Sequence, residues 1–179
     1  MSYCEFIRSG RASQVHIDYH NTEYGFYSAD ETVLFERLVL EINQAGLSWD
    51  MVLKKRPSLR AAYSEFKVDA VADFGPTHVE RLLADPGVVR NRLKIAAAIH
   101  NAQVVTQLRI SHGGFSSWLD EGRGLDRTAW TKRFKQTFKF TGGEIVNEFL
   151  MSLGYLPGAH GPECPVHEIL SRRSDTSAF

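Results

Sequence analysis

Apolar residues recur at a helical period along most of the chain. Leu34, Leu38, Ile42 and Ala45 form one such stripe, which runs until Gly46. Ahead of it, Ser28-Ala29-Asp30-Glu31 reads as a capping box, with Ser28 accepting from a backbone N–H and Glu31 reaching back. Ser48 is expected to cap a short helix through Trp49, Val52 and Leu53, closed by Lys54-Lys55-Arg56 before Pro57. Basic residues there suit the negative end of the helix dipole. Pro57 then fits the first turn of a separate helix, Ser58 to Phe66. Short pieces follow at Val68–Phe74 and Pro76–Ala84. Asp85-Pro86-Gly87 interrupts, and a long helix is expected from about Val88 to about Ile110, ended by Gly113-Gly114. Phe115–Asp120, Arg127–Phe138 and Glu144–Leu153 complete the series. No alternating Val/Ile/Thr run with hairpin turns is present, so the expected fold class is all-α. Polar residues from Ser171 to Phe179 predict a frayed tail after a single domain over residues 1–170.

Composition narrows the class without naming a function. The chain has 179 residues, 43% of them hydrophobic, enough to bury a core without disulfides. Twenty-one basic residues balance twenty-one acidic ones, so no global field favours a polyanion. No apolar run approaches the ~18–20 residues that a membrane span requires. The first residues lack the charged-then-apolar pattern of a secretory signal. A soluble, cytoplasmic protein is the expectation.

Four local patterns could carry chemistry. Glu41 lies within the apolar stripe of its own helix, where a carboxylate is costly unless it meets a donor or a cation. It is either a solvated residue at the stripe edge or a carboxylate projecting into a pocket. Tyr19, Tyr24, Phe26, Tyr27, Phe35 and Trp49 crowd the same neighbourhood in sequence. Aromatic faces attract cations and stack on planar bases, although a plain core is the commoner use of any single ring. The two cysteines, Cys4 and Cys164, each have histidine company. Cys4 with His20, and His160-x-x-x-Cys164, would make two halves of a tetrahedral site, with His167 a rival to His160. Finally, the Asp85-Pro86-Gly87-Val88 break is followed at once by Arg90, Arg92 and Lys94. Backbone N–H groups of such a turn, backed by cations, suit a nucleic-acid phosphate. Lys54-Lys55-Arg56 with Arg60, and Lys132-Arg133 with Lys135 and Lys139, are further basic clusters. No nucleophile elbow or Gly-rich nucleotide loop is present.

Taken together, these segments resemble the DNA-3-methyladenine glycosylase I family of base-excision repair enzymes. Tyr19-His20-Asn21-Thr22-Glu23-Tyr24-Gly25 is similar to the family's Tyr-His-Asp-x-Glu-Trp-Gly. Leu40-Glu41-Ile42-Asn43-Gln44-Ala45-Gly46-Leu47-Ser48-Trp49 resembles its Leu-Glu-x-x-Gln-Ala-Gly-Leu-Ser-Trp. Leu53-Lys54-Lys55-Arg56, Val88 to Ile95, Phe138-Lys139-Phe140-Thr141-Gly142 and His160-x-x-x-Cys164 also match, in order, over about residues 3–165.

The resemblance implies a helix-hairpin-helix DNA glycosylase fold of two helical lobes, its N- and C-terminal segments joined by a structural zinc. The metal ligands would be Cys4, His20, His160 and Cys164. Glu41 would be the base-recognising carboxylate, with Tyr19 and Trp49 as pocket aromatics. Leu47, at the Gly46-Leu47 turn, becomes a candidate wedge for the gap left in the duplex. Gly87, Arg90, Arg92 and Lys94 would grip the DNA backbone. The implied reaction is hydrolysis of the N-glycosidic bond of 3-methyladenine flipped out of double-stranded DNA, by a monomer that needs no membrane. Four positions depart from the pattern: Phe6 and Tyr24 replace tryptophans, His16 a tyrosine and Asn21 an aspartate, and the resemblance places Phe6, His16 and Tyr24 around the base pocket as substrate-binding residues. These swaps bring in two alternatives, a non-catalytic lesion-sensing relative or a glycosylase with a changed range of modified purines.

Overall fold

The first 22 residues have too few apolar positions to show a period, yet they form two short helices. These are α1 (Tyr3–Arg8) and α2 (Gln14–Thr22) of the computed structural model, which describes residues 2–176 and side chains through Arg172. A capping box starts α1: the Glu5 N–H donates to Ser2 Oγ at 3.2 Å and the Ser2 N–H to the Glu5 carboxylate at 2.6 Å. The structure is all-helical among the described residues.

Asp30, not Ser28, caps α3 (Glu31–Gln44). Its carboxylate accepts from the Thr32 and Val33 N–H groups at 2.8 and 3.1 Å, while Ser28 Oγ accepts from the Asp30 N–H. A charged acceptor satisfies two orphan donors and complements the helix dipole, so it displaces the hydroxyl upstream. The next helix also departs from expectation. α4 runs unbroken from Trp49 to Ala62 with Pro57 inside it, where two helices were expected. The missing Pro57 N–H costs about 3 kcal/mol in a helix interior. Burial of Val52, Leu53, Leu59 and Ala62 on both sides of the proline holds the helix together.

Further helices follow: α5 (Val68–Ala72), α6 (Pro76–Ala84), α7 (Arg92–His112), α8 (Phe115–Asp120), α9 (Arg127–Thr137), α10 (Gly143–Ser152) and α11 (Pro165–Thr176). The long helix therefore starts four residues later than its expected Val88, because Asn91 caps it by accepting from the Leu93 and Lys94 N–H groups. Residues 171–176 are helical, which corrects the expected frayed tail. Residues 177–179 of that expectation lie outside the described residues.

Two compact units make up the chain. One combines the segment through Tyr27 with the segment from Leu150 onward, and the other is the continuous stretch 28–149. In the continuous unit, α7 packs against α3, α5, α6 and α8. Leu34, Phe35, Leu38, Ile42, Val52, Phe66, Ile95 and Val105 form its buried core. Beside them, Phe115, Trp118, Phe134, Phe138 and Phe149 interlock with ring centroids 5.1 to 6.2 Å apart. The discontinuous unit is fastened at Gly25. Its N–H donates to the Ser152 carbonyl at 2.8 Å, its φ is +83°, and a Cβ there would meet the His160 ring at 3.0 Å. Glycine is the residue that fits both demands.

Candidate functional site

Glu41 is 4% exposed, on the buried side of α3. The sequence left open whether it is solvated at the edge of the stripe, and the structure excludes that. Its carboxyl makes no hydrogen bond or ion pair among the described residues, and it lines a cleft of ≈ 620 Å³. Gln44, Ala45, Gly46, Leu47, Glu144 and Glu148 line the same cleft. Burial, the nearby Glu148 charge and, in opposition, Arg37 together push the Glu41 carboxyl up to about 8. A buried carboxyl with no protein partner, beside a second carboxylate, is a receptor for a cation or for hydrogen-bond donors. Glu148 escaped sequence reasoning. The available signal was a carboxylate beside Phe149 and Leu150 in an apolar helix, the same anomaly that singled out Glu41.

The turn after Glu41 is shaped by a lysine. Lys94 is 5% exposed, and its ammonium donates to the Asn43 carbonyl at 2.8 Å and the Ala45 carbonyl at 2.5 Å. These are orphan acceptors at the α3 C-terminus, where a cation is favoured. Lys94 was expected to grip a phosphate; the structure instead buries it as a C-terminal cap. Beyond the cap, Gly46 takes φ +79° and the Leu47 N–H closes the turn onto the Gln44 carbonyl at 2.7 Å. Leu47 is half-buried at the cleft, and Trp49 is half-buried at the start of α4.

The expected phosphate turn is also altered. The Gly87 N–H donates to the Asp85 carboxylate at 2.7 Å, so in this conformation that donor is already taken. The glycine is needed for close approach, since a Cβ at Gly87 would lie 2.9 Å from Ser58 Cβ. Arg90 is exposed, and Arg92 pairs with Glu80 at 3.0 Å on the surface. Arg56 and Arg60, part of another basic cluster, both donate to the buried Glu36, at 2.8 and 2.7 Å.

In the discontinuous unit, Cys4, His20, His160 and Cys164 are all buried, with one ligand atom from each within 4.8 Å of the others. Cys4 Sγ lies 3.3 Å from His20 Nε2 and 3.6 Å from His160 Nδ1. Cys164 Sγ lies 3.7 and 3.4 Å from the same two nitrogens. A zinc tetrahedron with bonds of about 2.3 Å to sulfur and 2.0–2.1 Å to nitrogen has S···N edges of about 3.6 Å. The cluster therefore has the dimensions of a tetrahedral metal site. The outer ring atoms fit as well. His20 Nδ1 lies 2.8 Å from Asn21 Oδ1 and His160 Nε2 lies 2.6 Å from the Tyr24 carbonyl, so each outer N–H has an acceptor and each inner nitrogen has its lone pair free. Burial lowers His160 and raises Cys4, so a thiolate there calls for a cation. His167 is not in the cluster; its Nδ1 lies 3.2 Å from the His160 carbonyl.

The remaining expected pocket residues gather around Tyr3. Its hydroxyl lies 2.9 Å from His16 Nδ1, and Phe6, His16, Tyr19 and Tyr24 lie with ring centroids 5.3 to 6.4 Å from its own. His16, Tyr19 and Tyr24 are buried, while Phe6 is half-buried. Tyr24 also stands edge-on to His160 at 5.6 Å, which ties this aromatic group to the Cys/His cluster.

Comparison with known proteins bears on both units. A family model for methyladenine glycosylases matches residues 9–167. DNA-3-methyladenine glycosylase 1 of Escherichia coli (strain K12) is 45% identical over 103 residues, which cover 56% of this chain and 55% of that protein. The chain spans about half the length of the curated relatives it matches. Among solved structures, a tyrosine-to-phenylalanine variant of 3-methyladenine DNA glycosylase I in complex with 3-methyladenine superposes with a TM-score of 0.83. It is 30% identical, over 93% of this chain and 97% of that one. The 3-methyladenine DNA glycosylase I of Staphylococcus aureus gives 0.81 at 30% identity, over 88% and 94%. The helical fold is thus that of 3-methyladenine DNA glycosylase I, and with a match that runs from residue 9 to residue 167, the chain belongs to the methyladenine glycosylase family.

Proposed function

We propose that this protein is a monofunctional DNA glycosylase that releases 3-methyladenine from double-stranded DNA. The observation that carries the reading is the Glu41 carboxyl, buried, without a protein partner and facing a cleft. A purine alkylated at N3 is cationic, so its bond to C1′ is already weakened and the base is a good leaving group. The site then needs to hold a cation rather than supply a strong acid. Glu41 accepts hydrogen bonds from the edge of the extruded base, and the incoming positive charge expels the proton that burial holds on its carboxyl. Glu148 adds negative charge to the same cleft, and Trp49 offers a ring face for stacking. The bond between C1′ and the purine nitrogen breaks, and its electron pair stays on the base, which leaves neutral. Water adds to C1′ and gives its proton to solvent, leaving an abasic site. On the family pattern alone, Tyr19, Phe6, His16 and Tyr24 are assigned to base recognition as well.

In the same reading, α6, the 85–91 turn and α7 are the helix-hairpin-helix element, with Gly87, Arg90 and Arg92 toward the DNA backbone. Cys4, His20, His160 and Cys164 would hold a zinc ion. Four protein ligands leave no open position on it, so its part is to fasten the first and last segments. The test is an excision assay on methylated duplex DNA. Free 3-methyladenine should appear with the native protein and fall at least a hundredfold with Glu41→Ala. Folded, zinc-loaded protein that binds duplex but releases no base would sink the reading and favour a lesion-sensing relative.

A further inference from the structure

The loop between α9 and α10 is built to push one ring outward. Asn101, fully buried in α7, grips the backbone of Lys139 from both sides: its Nδ2 donates to the Lys139 carbonyl at 3.0 Å and its Oδ1 accepts from the Lys139 N–H at 2.8 Å. Phe138 is locked among Phe115, Trp118 and Phe134, with centroids 5.2, 5.4 and 5.5 Å away. Thr141 is buried, and its hydroxyl donates to the Phe138 carbonyl at 3.3 Å. Between these anchors Phe140 has φ +60° and is 38% exposed. A bulky side chain in the left-handed region is strained, and an exposed ring gains little from burial to offset it. Asparagine or glycine would satisfy this backbone better.

The surroundings of that ring point to its target. Lys132, Lys135 and Lys139, all exposed, lead along α9 to the loop, and no carboxylate occurs from residue 127 to residue 143. The Lys94 ammonium lies 6.0 Å from the Phe140 ring centroid while it caps the Ala45 carbonyl, which sets Phe140 beside the Gly46-Leu47 turn. Gly142, two residues on, lines the Glu41 cleft together with Leu47. An apolar tip at the lip of the cleft, fed by a stripe of cations, suits a duplex whose bases must be parted and whose phosphates must be held.

We propose that Phe140 is a second wedge, beside Leu47, that stacks into the DNA duplex where the damaged base has left, and that Lys135 and Lys139 hold the adjoining phosphates. This deepens the glycosylase reading and rests on it for the identity of the partner. The strained backbone keeps the ring out of the protein core and ready to stack.

The test uses the full chain and a duplex holding a stable abasic-site analogue next to 2-aminopurine, whose fluorescence rises when it is unstacked. Native protein should bind and raise the signal. Phe140→Asn should weaken duplex affinity about tenfold and remove most of the rise, with a Tm no lower than native. The ratio of duplex to single-strand excision should fall by a similar factor. Lys135→Ala with Lys139→Ala should reduce the slope of log affinity against log salt by about two. Phe140→Asn with native affinity and signal would overturn the proposal. So would lower Tm values in both Phe140→Asn and Phe140→Gly, since the ring would then be structural. Native protein that parts the duplex but releases no base would defeat the glycosylase reading and leave this one standing. Absence of duplex binding by native protein would overturn both.

Discussion

Lys94 and Ala45, 49 positions apart, are joined by a 2.5 Å hydrogen bond from the ammonium to the carbonyl. With the bond to Asn43, it fixes the end of the helix that carries Glu41 and the turn that carries Leu47. Lys94→Met should cost about 2–4 kcal/mol, because a buried and a half-buried carbonyl lose a charged donor. Excision should fall with it, while the salt slope of duplex binding stays native, because the Lys94 ammonium is buried and committed to two backbone carbonyls. Urea denaturation and binding isotherms at several salt concentrations separate these effects.

The Glu41 carboxyl gives a pH dependence of known sign. Its folded value near 8 stands above the ordinary 4.5, so between those values the folded state holds a proton that the unfolded state has lost. Its contribution to stability therefore declines as pH rises from 4.5 to 8, then stays level. Glu41→Gln should raise stability by a few kcal/mol at pH 8.5 and by under about 1 kcal/mol at pH 5. The same variant should lose excision. Equal gains in Tm at both pH values would contradict the assignment.

For the Cys/His cluster, one zinc ion per chain is the expected content by metal analysis. Cys4→Ser or Cys164→Ser should abolish it and lower Tm, and a strong chelator should do the same to the native protein. Asn21→Ala removes the acceptor of the outer His20 N–H. It should lower metal affinity roughly 10–100-fold, read by competition with a chromophoric chelator.

On the surface after Gly87, the two arginines should differ. Arg92 already pairs with Glu80, whereas Arg90 is exposed just before the α7 cap at Asn91. Arg90→Ala should weaken duplex binding more than Arg92→Ala and take about one contact from the salt slope. Glu80→Ala should tighten binding slightly by freeing Arg92. An unchanged salt slope in Arg90→Ala would remove this residue from the interface.

Much of this was legible in the sequence because the local signals agreed with one another. The helical period and Gly46 as a stop are visible as spacing, and α6 and α8 fall where their patterns place them; spacing marked two cysteine–histidine halves but left His160 and His167 as rivals, which the family resemblance decided. Other features depend on partners far along the chain. A basic residue after a glycine turn reads as a phosphate ligand, and only the fold shows that Lys94 lies over the end of α3. Asp85 looks like a turn residue, yet it takes the Gly87 N–H that a phosphate would have needed. The continuity of α4 through Pro57 is decided by burial on both sides of the proline. Asn101 clamps the backbone of residue 139 from within α7, and neither the clamp nor its partner has a mark in the sequence.

The discontinuous unit has a consequence for synthesis. Cys4 and His20 leave the ribosome early and must wait for His160 and Cys164 before their cluster can close. The stretch 28–149, continuous in sequence, holds its own core and can fold while they wait. During that interval one thiol and one imidazole of the first segment, Cys4 and His20, lie open to whatever metal or oxidant the nascent chain meets. Closure of the clasp therefore waits for the last segment, however early its first two ligands emerge.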